Sequence, residues 1–488
     1  MKEKDSPIIV GVEENSRSEL PNLPNLPNSE PLTINEVDAD ELLKAFLDAR
    51  TVELPPWIIV DDNGRVKLSP QALHIHIEDN HHILAVKLGE SRGLELYHYK
   101  DGYYQKWTES ECKAFIKSFL PRMYRTPSQW EHVYKELTTQ SVNTQESELN
   151  ADESIINFRN CILGIDDVDQ IKMLPHSPEY ISTIQIPCNY NPNASIEQAP
   201  EFWKYIQDLS NGNEQDQITL LEIIGVVISN VIGARFKQLL ILKGLGDTGK
   251  SVLREFVAYL IGAENSYTVD LKQLHSEFGL SGIYGKRLIG SGDMKFENLT
   301  EIDKIKELTG GDKIQINAKY KQQLQANYRG FCWFNCNDLP MFGGDRGIHV
   351  YNRFLIVSCD NVIPKNRRDA NLLDKIKQES DVVASVAVNA MLKAKANDYT
   401  FTESEKTKAN REAYAIKNNS LKLFLEQCFA LNHGRTNVSE FNRKYNQWCK
   451  ENRLRAENPH DISRILKEEH NIVPRKSNVL IYDLTVVW

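Results

Sequence analysis

The apolar positions of this chain change period several times, and the changes mark its organisation. From Ala39 to Leu47 they recur at three- and four-residue spacing, which predicts a helix. Leu94-Glu95-Leu96-Tyr97-His98-Tyr99 then alternates, and Asp101-Gly102 before Tyr103-Tyr104 predicts a hairpin turn. Helical spacing returns over Glu109–Leu120, Phe202–Leu209 and Gln217–Ile232. Next comes a short β-rich run, Gln238-Leu239-Leu240-Ile241-Leu242-Lys243, and a helix-like run from Val252 to Leu260. Tyr328–Phe334 reads as a buried strand, and Phe354-Leu355-Ile356-Val357 as another. Near the end, Phe441, Tyr445 and Trp448 fall on one face of a helix over Val438–Asn452, and a second helix is predicted over Asp461–His470.

Between the apolar strand and the helix that starts at Val252 stands Gly244-Leu245-Gly246-Asp247-Thr248-Gly249-Lys250-Ser251. This fits the G-x-x-x-x-G-K-[ST] phosphate loop in the strand–loop–helix context that the chemistry requires. Backbone N–H groups at a helix N-terminus cradle phosphate oxygens, and side chains at the glycines would collide with them. Residues 244, 246–252 (Gly244, Gly246, Asp247, Thr248, Gly249, Lys250, Ser251 and Val252) are therefore the expected nucleotide-binding set, with ATP and Mg²⁺ as cofactors. Lys250 would reach the β/γ-phosphates and Ser251 would hold the metal.

Further candidates lie downstream. Asp293, in Leu288-Ile289-Gly290-Ser291-Gly292-Asp293, is the candidate second acid, and Glu297 competes for the role. The alternation at Ile314 and Ile316 leads into Lys319-Tyr320-Lys321, a hairpin tip with the cations and ring that suit a phosphodiester backbone and a base face. Asn337 leaves the Tyr328–Phe334 strand where a polar group would orient an attacking water. Arg346 and Arg353 precede the last core strand, where an arginine can act across a subunit boundary. His74, His76, His81 and His82 cluster in the sequence, and alternation would put His74 and His76 on one strand face. No carboxylate or cysteine set completes a metal spacing there, so a structural role is expected.

Composition narrows the class. The chain has 488 residues, 41% hydrophobic and 26% charged, which is ample for several soluble domains. Eight cysteines without C-x-x-C pairing favour reduced thiols, and no signal-peptide pattern or bilayer-length apolar run is present; a cytoplasmic location without membrane contact is expected. The net charge of −9 is unevenly spread. Residues 1–50 carry eleven acidic and five basic side chains, a net of −6, whereas residues 434–488 carry ten basic and seven acidic, a net of +3. The basic end matters for nucleic acid more than the sum does. Leu-Pro-Asn repeats at Leu20–Asn28 fit a disordered acidic tail.

The order of these motifs resembles that of superfamily 3, AAA+-like helicases, most closely the phage and plasmid primase–helicase family and the replication initiators of phage-inducible chromosomal islands. Phosphate loop, single acid, Thr309-Gly310-Gly311-Asp312 with a basic hairpin, Asn337-x-x-Pro340 and Asn352-Arg353-Phe354 carry the resemblance. Asn157-Phe158-Arg159-Asn160, Leu174-Pro175-His176-Ser177-Pro178 and Ile186–Pro192 extend it upstream. The family usually has Glu where this chain has Asp293. The resemblance implies an α/β fold: a P-loop AAA+-like ATPase core, an α+β N-terminal domain and a C-terminal winged-helix module. It further implies catalysis by Lys250, Asp293, Asn337 and Arg353, metal binding by Ser251 and Asp293, and single-stranded DNA gripped by Lys319, Tyr320 and Lys321. A homo-hexamer that unwinds DNA from a mobile element's origin in a bacterial host follows. A separate primase or host replication proteins would be partners, because no paired-acid primase strand precedes the ATPase. The expected divisions are 1–34 tail, 35–200 N-terminal domain, 201–235 helical collar, 236–395 ATPase, 396–417 linker and 418–488 winged helix. In the last, Arg464, Lys467, Arg475 and Lys476 are the expected contacts to duplex DNA.

Overall fold

The computed structural model describes residues 39–49, 53–87, 94–139, 143–165, 171–294, 302–317, 324–342, 347–430, 435–452, 454, 456–470, 472–476, 479–482 and 485–486. It is a mixed α/β protein built around a five-stranded parallel sheet.

The N-terminal part is α+β. Strands Tyr103–Lys106, Leu94–Lys100, Ile83–Lys87 and Thr144–Gln145 form one sheet in that order. The expected hairpin is present: Leu94–Lys100 pairs antiparallel with Tyr103–Lys106, and Asp101 and Gly102 both take positive φ, 54° and 89°. Two left-handed residues in a row are what a two-residue hairpin loop demands. Helices Ala39–Ala49, Pro70–Asn80, Glu109–Ser118 and Pro127–Thr139 cover this sheet and share its core.

His74 and His76 lie on the helix Pro70–Asn80, not on a strand. The Ser69 side chain caps that helix by accepting from the Ala72 N–H, and Pro70 stands in the first turn, where its missing N–H costs nothing. The local His-Ile-His-Ile alternation was outweighed by these start signals. Among the described residues, no group of three or more His, Cys, Asp or Glu is placed to hold a metal ion. His76 packs on Trp57 at 4.3 Å and His81 on Phe115 at 5.0 Å, while His74 faces Glu78 at 3.5 Å; nearby, His98 stacks on Trp107 at 4.6 Å and lies 5.0 Å from Phe115 and 5.6 Å from His81.

Burial, with smaller contributions from His81, Lys100 and His82, pushes the His98 pKa down to about 4. Protonation is therefore favoured in the unfolded chain. Its contribution to stability is complete above the ordinary histidine value near 6.5 and is lost as pH falls from there toward 4. Thermal denaturation of the N-terminal part followed between pH 7.5 and 5 should show a falling Tm, and His98→Phe should flatten that slope. An equal slope in the variant would show that other groups carry the pH dependence.

The parallel-sheet part begins with helices α1 (Pro200–Leu209) and α2 (Glu214–Ile228). Then come strand β1 (Leu239–Lys243), helix α3 (Lys250–Ile261), strands β2 (Ser266–Thr268) and β3 (Leu288–Gly290), and helix α4 (Asp303–Gly310). Strands β4 (Phe331–Cys336) and β5 (Phe354–Ser358) precede helices α5 (Ser380–Ala396) and α6 (Glu405–Asn418). The sheet order is β2-β3-β4-β1-β5. All residues of β4 and β5 are buried, as are the first four of β1, which is why these strands read as unbroken apolar runs. On one face α2 crosses α5 so closely that a Cβ on Gly225 would lie 2.1 Å from the Ala387 carbonyl oxygen.

The stretch expected as a linker contains α6, which packs against the open edge of β5. Asn410 donates to the Ile356 carbonyl oxygen at 3.0 Å and to Ser358 Oγ at 2.9 Å, while Tyr414 is buried among Phe342, Tyr351 and Phe354. Its polar composition misled because only one face of α6 is covered; Asn410 serves as a cap on the sheet edge.

The C-terminal part runs helix Ser420–Cys428, strand Thr436–Asn437, helices Val438–Glu451 and Pro459–His470, and strands Arg475–Lys476 and Leu480–Tyr482. The three strands pair antiparallel, with Leu480–Tyr482 in the centre. Phe441, Tyr445 and Trp448 are buried with Phe424, Ile462 and Tyr482, as their spacing predicts.

Candidate functional site at the carboxyl edge of the parallel sheet

Strand β1 lies between β4 and β5, so the chain leaves it toward one side of the sheet and returns on the other. Open parallel sheets bind ligands at the carboxyl ends of strands where the order reverses in this way. The loop Gly244–Gly249 leaves β1 at that place and feeds α3.

The loop's shape depends on its glycines. Gly249 has φ +93°, and a Cβ there would also lie 3.0 Å from the Tyr205 ring. At Gly244 a Cβ would fall 2.0 Å from the Cys359 carbonyl oxygen. Gly246 faces open space. Asp247 takes φ 66° and is bound to Arg368 at 2.8 Å, while its carbonyl oxygen accepts from the Ile363 N–H. Tyr205 donates to the Gly249 carbonyl oxygen at 2.8 Å, bracing the loop from α1.

Lys250 is buried, and its ammonium sits inside the loop. It donates to the carbonyl oxygens of Gly244 and Leu245 at 2.8 and 2.7 Å and to Thr248 Oγ1 at 3.2 Å. Ser251 is exposed in the first turn of α3, beside the partly exposed Val252, and donates to the Gly292 carbonyl oxygen at 3.0 Å. That bond brings the Ser251 hydroxyl next to Asp293, whose N–H donates to Ser291 Oγ at 3.4 Å. Asp293 is exposed just beyond β3, and Asn337 is exposed just beyond β4. Lys250, Ser251, Asp293 and Asn337 thus share the carboxyl edge of one sheet. Glu297, the competing acid, lies outside the described residues, as does Arg346.

Arg353 stands apart from this group. It precedes β5, and its carbonyl oxygen accepts from the Leu239 N–H at the start of β1. It is therefore on the amino edge, about 16 Å of strand from the loop at roughly 3.3 Å per residue. Its Nη1 donates to Thr309 Oγ1 at 2.7 Å and to the Lys306 carbonyl oxygen at 3.2 Å, both on α4.

The basic hairpin has the expected strands. Lys313–Ile316 pairs antiparallel with Leu324–Asn327, and Ile314 and Ile316 are buried while Lys313 and Gln315 are exposed. The tip with Lys319, Tyr320 and Lys321 lies outside the described residues. In the C-terminal part Arg464 and Lys467 are exposed on one helix, Arg464 within 3.4 Å of both Asp461 and Glu468. Ser463, on the same helix, donates to the Pro459 carbonyl oxygen and meets the Tyr482 hydroxyl at 3.1 Å. Arg475 is exposed in the strand it shares with Lys476.

Asn335 is a residue whose importance the sequence did not signal. It is fully buried in β4, donates to the Lys250 carbonyl oxygen at 2.9 Å, and accepts from Trp333 Nε1 at 2.8 Å. It ties the first turn of α3 to the sheet and so sets where Lys250 begins. An amide inside an apolar strand was the available clue, because a buried amide must have partners. Asn335→Leu leaves the buried Trp333 indole N–H without its acceptor and removes the side-chain donor to the Lys250 carbonyl oxygen, and should destabilise the protein by about 1–3 kcal/mol. A denaturant titration with an unchanged midpoint would refute that role. The upstream motifs are structural in the same sense: Asn160 donates to the Tyr190 carbonyl oxygen at 3.0 Å, Asn157 to that of Gly102 at 2.9 Å, and the His176 ring lies 2.8 Å from the Phe158 carbonyl oxygen.

Two family models match. One, described as D5 N terminal like, covers residues 76–211. The other, described as a family of unknown function (DUF5906), covers residues 242–353, from the middle of β1 to Arg353. Among solved structures, the A form apo structure of the NrS-1 C terminal region matches with a TM-score of 0.50 at 12% identity, covering 86% of this chain and 100% of that one. A second apo structure of the same region (305-718) matches with a TM-score of 0.50 at 12% identity, covering 86% and 99%. At this identity the likeness establishes a shared fold.

Proposed function

We propose that this protein is an ATP-hydrolysing DNA helicase that initiates replication of a mobile genetic element and works as a ring, in the form of a hexamer. The observation that carries the reading is the split arrangement of its polar groups. Lys250, Ser251, Asp293 and Asn337 gather at the carboxyl edge of the sheet, while Arg353 occupies the opposite edge. A single subunit then holds a nucleotide site and, elsewhere, an arginine suited to a neighbour's site. That division fits a head-to-tail assembly, and closure of such heterologous contacts gives a ring.

The loop fits a triphosphate with Mg²⁺: it has a left-handed glycine at the helix start, an ammonium already inside it, and a hydroxyl bonded to the carbonyl oxygen of Gly292, the residue before Asp293. In this reading Lys250 exchanges loop carbonyls for phosphate oxygens, and Ser251 and Asp293 hold the metal, which would neutralise phosphate charge. Asn337 orients water and Arg353 stabilises transition-state charge in the adjoining subunit. The hairpin carries Lys319, Tyr320 and Lys321 toward single-stranded DNA. The C-terminal part runs helix, two short strands, two helices and three short strands, and its two consecutive helices followed by the antiparallel pair Arg475–Lys476 and Leu480–Tyr482 support a winged-helix reading. Arg464, Lys467, Arg475 and Lys476 would then face duplex DNA.

A second reading is an initiator that uses ATP as an assembly switch without sustained unwinding. Displacement of a labelled strand from a long forked duplex separates the two. The helicase reading expects displacement that needs ATP and stops in Lys250→Ala; melting confined to the origin would favour the switch. ATP turnover indifferent to DNA would sink both.

A further inference from the structure

A cleft of about 850 Å³ lies between the N-terminal sheet, the β3–β4 side of the parallel-sheet part and the root of the basic hairpin. Lys87 stands on one wall and Lys313 on another, both exposed, and Arg287 and Arg329 line the cleft between them. Three guanidiniums meet here with a single carboxylate among their partners. Glu153 takes Arg235 through two bonds of 2.8 Å each. Arg287 is half-buried and donates to the Asn230 side-chain oxygen, a neutral partner. Arg329 donates to the carbonyl oxygens of Asn150 and Ala151, at 3.4 and 3.1 Å. The acid on the cleft wall, Glu146, is hydrogen-bonded to Tyr284.

A buried cation that meets only neutral groups and a like charge is costly, and a protein keeps such an arrangement where an anion completes it. Burial, and then the charge of Arg329, push the Arg287 pKa down to about 9, which still leaves it charged at neutral pH. The cations lie on two walls and between them, instead of converging on one point. Spacing of that kind suits a polyanion followed along its backbone, and Tyr284 offers a ring beside it.

We propose that this cleft binds single-stranded DNA, with Arg287 and Arg329 taking phosphates and Lys87 and Lys313 guiding the strand past the hairpin root. The proposal rests on the DNA-acting reading above. Because both arginines also brace the two parts of the chain, the test uses the exposed lysines. Full-length Lys87→Glu/Lys313→Glu is titrated with fluorescent oligo-dT over a range of salt. A photo-crosslinking phenylalanine at position 284 reports where the strand lies.

Affinity should fall by about tenfold or more, and the salt slope should shrink by about 1.4 for two lost phosphate contacts. DNA-independent ATP turnover should be unchanged, and position 284 should crosslink to the oligonucleotide. Unchanged affinity and slope without a crosslink would overturn the proposal. So would loss of binding only in Lys319→Ala/Lys321→Ala, a result that leaves the helicase reading standing. Protection of position 284 by pyrophosphate or ATP but not by oligo-dT would identify a small-phosphate site and overturn the polymer reading. Failure of the unaltered protein to bind oligo-dT at all would remove the helicase reading as well.

Discussion

Lys250→Ala should reduce ATP turnover by at least about 10²-fold, the scale on which one preorganised charge donor matters. The physical reason is visible in its present partners. The ammonium is buried and held by two carbonyl oxygens and one hydroxyl of its own loop, all within 3.2 Å. Alanine would take the donor from three acceptors, of which Gly244 and Thr248 belong to buried residues, so some loss of stability should accompany the loss of turnover. Steady-state phosphate release, read beside a melting curve, checks both halves. A variant as active as the unaltered protein would show that the loop does not hold the reacting phosphates. A variant that fails to fold would assign Lys250 a structural duty in the loop.

What could be read from the sequence was what is local. The glycine-containing turn between β1 and α3, the Asp101-Gly102 hairpin and the Phe441/Tyr445/Trp448 face each lie within a dozen residues, so spacing alone specified their local shape. Asn335 was missed because its meaning comes from Lys250, 85 residues earlier. Helix α6 read as a linker because its polar face dominates its composition, and the strand edge it covers is about 50 residues away. The Pro70–Asn80 helix was a misreading of a different kind: the alternation at His74–Ile77 was weighed above the Ser69-Pro70 start signal that preceded it. The cleft beneath the hairpin was invisible for the strongest reason. Lys87, Arg287, Lys313 and Arg329 come from separate elements, and only the packing of the N-terminal sheet against the parallel-sheet part brings them to one place.

Arg353→Ala should keep nucleotide binding yet lose hydrolysis by roughly 10³-fold or more, the magnitude of an arginine finger supplied in trans. The competing expectation is equally concrete, because Arg353 also braces α4 through Thr309 and Lys306. A purely structural arginine would lower Tm and loosen that helix, and turnover would fall only as far as folding does. Arg353→Lys helps to separate them, since lysine can keep a charge near the boundary but cannot reproduce the two-acceptor geometry of the guanidinium. The decisive measurement is a mixture. Rings assembled from Arg353→Ala and Lys250→Ala subunits contain some interfaces with an intact Lys250 on one side and an intact Arg353 on the other. Recovered turnover in the mixture, absent from either variant alone, would place Arg353 at a neighbour's site. With mixed assembly verified by mass, no recovery would confine Arg353 to its own subunit.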